Sequence, residues 1–182
     1  MSATLTAGDL LEVFAEFERR ALELYRHFAQ TFAGQAAAAR IWRSMSDAEA
    51  GHFAVLRLAE DRLPRAGASA GPNPTIDQAR LDEWKARLEE LEAKGKRPGL
   101  APADAAEITL TWEREELPRL LTLLAALPEP ARKATAAGLV QGAEEHLGCL
   151  EDLLKTVGRD SLLPEISLLK ESVARLNLLA TG

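Results

Sequence analysis

The chain has 182 residues, of which 47% are hydrophobic, a single cysteine and a formal net charge of −6. A negative chain without a block of Lys or Arg argues against nucleic acid as a partner, and one cysteine excludes an internal disulfide and a Cys-x-x-Cys metal site. The first residues, MSATLTAGDLLEVF, show no secretion signal, and no apolar run is long enough to span a membrane. We therefore expect one soluble, cytoplasmic domain over residues 1–182.

The composition favours helices, because Ala, Leu, Glu and Arg are frequent and no stretch alternates in the manner of a strand. We predict an all-α protein with helices at about residues 9–33, 36–63, 75–94, 104–127, 131–157 and 164–180. The stretch RAGASAGPNP at 65–74 predicts a loop. Thr75 with Gln78, and Asp104 with Glu107, have the spacing of capping boxes at the starts of the third and fourth helices.

The lengths of the connections predict how these helices pair. Short turns join the first helix to the second and the helix at 104–127 to that at 131–157, so each pair should form an antiparallel hairpin. The long stretch between the pairs contains the helix at 75–94 and allows a crossover. We therefore predict a four-helix bundle of two hairpins, with the helices at 75–94 and 164–180 as accessory elements.

The predicted inward stripes of the bundle helices carry five ionisable side chains among apolar ones. These are Glu18 on the first helix, Glu49 and His52 on the second, Glu113 on the third and His146 on the fourth. An unpaired carboxylate in a core is very costly, and no basic side chain on any stripe would neutralise these three. A bound cation would neutralise them.

Sequence separations predict that the five side chains share one site. Glu18 and His52 are 34 positions apart, and Glu113 and His146 are 33 positions apart. In antiparallel hairpins with arms of equal length, each Glu then lies beside its His at one level of the bundle. Glu49 and His52, at i and i+3, lie on one helix face and can bind the same ion.

These residues resemble a known family. One Glu from each of two helices, with Glu-x-x-His on the others, is the ligand set of carboxylate-bridged di-iron proteins of the ferritin-like superfamily. Rubrerythrin-like domains are the most similar, through Glu18 followed seven residues later by Tyr25 and through the stretch RIWRSMSDAEAGHFAVL at 40–56. The resemblance covers roughly residues 9–157. It implies a ferritin-like bundle in which Glu49 bridges two ions, Glu18 and Glu113 cap them, and His52 and His146 each complete one.

The chain departs from this family at position 143, where a second bridging glutamate is expected and Ala143 stands. Glu145 is one helical step from the direction of His146 and would reach the site if the helix rotates or bulges near Gly142. Pro118 should kink the third helix, and Glu116 is the alternative to Glu113 if that kink shifts the register. Two interpretations stay open, a standard dinuclear site or a site with a single ion.

The resemblance implies an iron-dependent oxidoreductase, either a ferroxidase or a rubrerythrin-like enzyme that reduces peroxide or O₂, with Mn or Zn as other metals that suit the ligands. The electron donor would be a separate partner. A tryptophan on an accessory helix, Trp84, is the reason to expect a homodimer. The alternative function is a non-catalytic helical bundle with a degenerate metal site that serves as a binding or scaffold protein.

Overall fold

A computed structural model describes residues 5–63 and 76–181. This part of the chain is all-helical and contains no strand, which confirms the predicted class. Its helices are α1 (Ala7–Thr31), α2 (Ala36–Asp61), α3 (Gln78–Gly95), α4 (Pro102–Ala126), α5 (Glu129–Val140), α6 (Ala143–Thr156) and α7 (Leu163–Thr181), with a 3₁₀ turn at Asp160–Leu162 before α7. The predicted loop at 65–74 and the predicted helix start at Thr75 lie outside the described residues.

The first hairpin, α1 with α2, has the most extensive helix–helix contact in the described structure. A capping box begins α1, because the Thr6 side chain accepts a hydrogen bond from the Asp9 amide (3.1 Å) and the Asp9 carboxylate accepts one from the Thr6 amide (2.7 Å). At the closed end of the hairpin, the Trp42 ring lies 5.4 Å from that of Phe28 and 5.1 Å from that of Phe32. This apolar layer fixes the register in which α1 faces α2.

Helix α4 begins differently from the sequence prediction. Ala101 is its N-cap and Pro102 its first residue, so Asp104 and Glu107 form no capping box. Both carboxylates face Arg159 instead, at 3.5 Å for Asp104 and at 2.5 Å for Glu107. The helix continues through Pro118 without a break, so the register of the preceding turn is kept.

The predicted helix at 131–157 is two helices in the structure. Gln141 leaves helical geometry, with ψ near 112°, and Gly142 adopts a left-handed conformation with φ near 88°. Left-handed backbone favours glycine, so Gly142 is the residue that permits the break. Helix α6 therefore starts at Ala143 and is free to orient His146 independently of α5.

The two helices predicted as accessory both pack on the bundle. Helix α7 contacts α4, α5 and α6 and buries Ile166, Leu169, Val173 and Leu176. Helix α3 lies against α1 and α4, where the Trp84 ring meets Phe14 edge-on at 5.8 Å. Because Trp84 is only 7% exposed, its ring serves packing within the chain, and the homodimer stays a prediction.

Among the described residues, no helix combines the length and the apolar character that crossing a bilayer requires.

Gly138 on α5 and Gly51 on α2 form a matched pair of tests of packing. A Cβ at Gly138 would lie 2.8 and 2.9 Å from the two methyl carbons of Val55, whose branched side chain has few rotamers, whereas a Cβ at Gly51 meets no atom within 4 Å. We expect Gly138→Ala to lower the free energy of unfolding by about 1 kcal/mol and Gly51→Ala to raise it by about 0.5–1 kcal/mol. Urea denaturation measures both, and a change of the same sign in the two variants would contradict the packing at Gly138.

Candidate metal centre

Six ionisable side chains meet in the middle of the bundle around a cavity of ≈ 20 Å³. They are Glu18 from α1, Glu49 and His52 from α2, Glu113 and Glu116 from α4, and His146 from α6. The structure thus brings together all five ionisable residues of the predicted stripes and adds Glu116. A cavity of this size has room for about one water molecule or for small ions.

The first half of the cluster is formed by α1 and α2. Nδ1 of His52 lies 3.1 Å from Oε2 of Glu49 and 3.7 Å from Oε2 of Glu18. Glu49 and His52 are one turn apart on α2, and Glu18 faces them from the antiparallel arm of the hairpin. Glu18 and His52, 34 positions apart in the sequence, therefore lie side by side at one level of the hairpin, as the sequence predicted.

The second half is formed by α4 and α6, with Glu49 reaching across from α2. Nε2 of His146 lies 2.9 Å from Oε1 of Glu113 and 3.3 Å from Oε1 of Glu49. The buried Tyr25 hydroxyl donates a 2.6 Å hydrogen bond to Glu113 Oε1. This bond orients the Glu113 carboxylate toward His146.

Glu49 belongs to both halves. One set of potential ligand atoms comes from Glu18, Glu49 and His52, and another from Glu49, Glu113 and His146. Within each set the ligand atoms lie within 4.8 Å of one another, a spacing that a single ion can span. The two oxygens of Glu49 point to different histidines, Oε2 to His52 and Oε1 to His146, so each half of the cluster receives one oxygen of Glu49.

The carboxylates lack the partners that buried charges require. Glu18 is 0% exposed and neither of its oxygens has a hydrogen-bond donor, and Oε1 of Glu49 and Oε1 of Glu116 are also without one. Among the described residues, no Lys or Arg forms an ion pair with any of the four carboxylates, and the nearby Arg119 pairs with Glu115. Because buried polar atoms are almost always satisfied, these oxygens fit a group that binds between them, and cations suit them best.

Burial and mutual repulsion change the acidity of three carboxylates. Burial raises the pKa of Glu49 to about 8, with the charges of neighbouring carboxylates adding to the shift and His146 opposing it. Burial, followed by the charge of Glu116, raises the pKa of Glu18. Burial and the charges of neighbouring carboxylates raise the pKa of Glu116 well above its ordinary value. The metal-free cluster therefore holds protons where a cation would otherwise neutralise it.

Burial alone would lower the pKa of a histidine, but the pKa of each histidine in the cluster is raised. Burial lowers the pKa of His52, but Glu18 and Glu49 outweigh it and raise that pKa well above its usual range. Burial likewise opposes a charged His146, yet Glu113 and Glu49 raise its pKa to about 9. The negative charge of the facing carboxylates therefore favours the protonated form of both rings.

Proton competition predicts that metal affinity rises with pH. An imidazole binds a metal only after losing its proton, and the facing carboxylates raise the pKa of His52 and raise that of His146 to about 9. Between pH 6 and 8, we expect the Kd for Co²⁺ to fall by about tenfold per pH unit for each proton displaced. Calorimetric titrations in buffers of different ionisation enthalpy count the released protons, and binding without proton release at pH 7 would contradict the protonated resting state.

Position 143 carries no carboxylate, and the structure shows where the neighbouring acidic residues lie. Ala143 is buried against the cavity, and Glu145 is exposed and outside the cluster, so the swing considered for Glu145 does not occur. Glu116 supplies a further carboxylate from α4 instead, together with Glu113 rather than in its place. The signal in the sequence was the i, i+3 spacing of Glu113 and Glu116, the same spacing as in Glu49 and His52.

No family model, curated protein or solved structure matches this chain. The resemblance to rubrerythrin-like domains therefore rests on the residues of the cluster and on their order along the helices. The function has to be argued from the geometry and the charges of the cluster itself.

Proposed function

We propose that this protein is a metal-binding helical bundle of ferritin-like arrangement whose six side chains hold two divalent ions. The observation that carries the proposal is the group of buried carboxylate oxygens on Glu18, Glu49 and Glu116 that have no hydrogen-bond donor. Two sets of potential ligand atoms that share Glu49 support two ions rather than one.

Charge balance supports the same number of ions. The four carboxylates of the cluster, when ionised, carry the charge that two divalent cations neutralise, with both histidines bound as neutral imidazoles. The metal-free protein lacks this balance, and the raised pKa of Glu18 and that of Glu49 are the consequence. Loading would therefore exchange protons for metal without leaving a net charge in the core.

The donor atoms suit iron, manganese and zinc, and the resemblance to di-iron proteins is the reason to place iron first. Mixed carboxylate and imidazole ligands suit all three metals, and thiolate ligands are absent from the two sets of potential ligands found among the described residues. Cys149, on α6, lines an outer cleft instead of the cavity.

The surroundings suit the reduction of a small oxidant. With iron bound, the centre would supply two electrons to hydrogen peroxide, whose O–O bond breaks as two protons are taken up and two waters form, or would pass electrons to O₂. Leu117, Leu139 and Leu176 line the apolar side of the cavity and exclude bulk water. The cavity is too small for a larger organic substrate. The function that fits is an iron-dependent peroxide or O₂ reductase, or a ferroxidase.

Ala143 is the observation that favours the alternative, a bundle with a degenerate site that binds or scaffolds without catalysis. The other positions of the cluster speak against decay, because Glu116 adds a carboxylate from the facing helix and Tyr25 orients Glu113. If the protein did not bind metal, nothing would offset the cost of burying these groups. Apolar side chains at the same positions would then make the fold more stable.

Metal content tests the proposal. The purified protein is stripped with a chelator, loaded with Fe(II) without oxygen, desalted and analysed by plasma mass spectrometry. We expect about two ions per chain, and less than about a tenth of an equivalent would overturn the proposal. Repeated turnover of hydrogen peroxide or O₂ by the loaded protein, with a chemical reductant supplied to return the iron to Fe(II), then separates the enzyme from the scaffold, since a bundle that binds iron but turns over neither oxidant supports the alternative.

A further inference from the structure

A surface cleft of ≈ 370 Å³ runs between α2 and the junction of α5 with α6. Its wall includes Ser44, Asp47, Gly51, Gln141, Glu145 and Cys149, and its floor is formed by His52 and His146. We call it the access cleft. The break at Gly142 lies on its rim, where the chain carries no side chain that would narrow the opening.

The access cleft is where the buried cluster comes nearest to solvent. The side chains of Glu18, Glu49 and Glu113 are 1%, 1% and 6% exposed, whereas the side chain of His52 is 16% exposed. His52 lines both the cleft and the central cavity, and so does His146. An ion that reaches the carboxylates by this side must therefore pass the two imidazoles.

His146 gives the cleft a polar group that points to a ligand. The residue is 5% exposed, and Nε2 on one edge of its ring faces Glu49 and Glu113. Nδ1, on the other edge, is buried and has no hydrogen-bond partner. The His146 ring lines this acidic cleft, and once it has lost its proton an imidazole nitrogen without a partner is a suitable transient ligand for a cation.

The charges at the rim have one sign. Asp47 on α2 and Glu145 on α6 are exposed carboxylates on the wall, and no Lys or Arg among the described residues lines the cleft. Clefts lined by charges of one sign concentrate the opposite ion and speed its association. Neither carboxylate forms an ion pair with a described residue that would cancel this field.

We propose that the access cleft is the route by which divalent cations enter the centre, with Asp47 and Glu145 capturing the ion and His52 and His146 passing it inward. This inference rests on the proposed metal-binding function. It gives Glu145 a role at the rim, in the rate of loading rather than in the final ligand set.

Stopped-flow binding of Co²⁺ to the stripped protein at low ionic strength tests the charge of the rim. We expect the double variant Asp47→Asn/Glu145→Gln to load about 5- to 10-fold more slowly than the wild type, with unchanged final stoichiometry, and the difference to shrink in ~0.5 M salt. The matched control is Asp61→Asn/Glu144→Gln, which removes the same charge from exposed positions on the same two helices outside the cleft. This control should load at the wild-type rate.

A second variant blocks the cleft without changing its charge. A Cβ at Gly51 meets no atom within 4 Å and Gly51 lines the cleft, so Gly51→Phe should fold and fill the opening, while Gly51→Ala is its small control. We expect Gly51→Phe to slow loading about tenfold or more and Gly51→Ala to leave it unchanged. Wild-type rates in both the charge variant and Gly51→Phe, with two ions bound, would overturn the access route alone. Failure of the wild type to bind Co²⁺ would overturn the metal centre and the route together.

Discussion

Glu49→Ala should leave the protein with almost no metal, whereas Glu18→Ala and Glu113→Ala should each leave about one ion per chain. Glu49 is the only residue present in both sets of potential ligands, and its two oxygens face the two histidines separately. Removing it takes a ligand from both ions and also removes the negative charge between them. Loss of even a supporting group around a metal costs about 10- to 100-fold in affinity, so loss of a shared ligand should exceed that at both positions.

The measurement is metal content after anaerobic loading and desalting, with Glu144→Ala as the control. Glu144 is exposed on α6 and outside both the cluster and the access cleft, so its variant should bind as the wild type does. Circular dichroism shows whether each variant remains helical. If Glu49→Ala keeps one full equivalent, Glu49 is a ligand to a single ion and the shared-carboxylate arrangement is wrong.

Much of the cluster was predictable because it depends on the apolar periodicity of each helix and on the equal lengths of the arms in each antiparallel hairpin. The apolar stripes identified Glu18, Glu49 and Glu113 as inward-facing, since a side chain on a stripe has only the core to face. Equal arm lengths in antiparallel hairpins then placed His52 and His146 beside them. Both steps use the sequence alone, and the structure places all five residues around one cavity.

The features of the site that could not be predicted depend on the conformation of single residues and on contacts between distant elements. From the sequence, Glu116 was a replacement for Glu113 in case Pro118 shifted the register, although residues three apart lie on one helix face and the cavity admits both. The break at Gly142 needed a left-handed residue that periodicity does not reveal. The placement of Val173 and Leu176 from α7 in the cavity wall follows from long-range packing, which no local pattern in α7 encodes.

Glu18→Met should raise the stability of the metal-free protein while reducing the stabilisation that metal provides. In the metal-free state Glu18 is fully buried, its carboxylate oxygens have no donors, and burial raises its pKa. Methionine has a similar volume and no polar atom to desolvate, so we expect the free energy of unfolding to rise by about 1–3 kcal/mol. His52 keeps Glu49 as a partner at 3.1 Å, and the change therefore leaves no new unpaired charge beside it.

Glu18→Met also removes a ligand from one of the two sets. The substitution should therefore stabilise the metal-free protein but reduce the stabilisation that metal provides. Metal at about 1,000 times its Kd stabilises a folded protein by about 4 kcal/mol per site, which for a chain of this length corresponds to roughly 8–16 °C in Tm. Thermal melts of the wild type and of Glu18→Met, each with a chelator and with excess Co²⁺, should show a higher Tm for the variant without metal and at most about half of the wild-type shift with it. A structural carboxylate satisfied within the core predicts the reverse in the first comparison, because its loss would lower the metal-free Tm. The sign of the change in metal-free Tm thus distinguishes the two roles of Glu18. A side chain that binds metal lowers the stability of the metal-free protein, whereas a side chain that supports folding raises it.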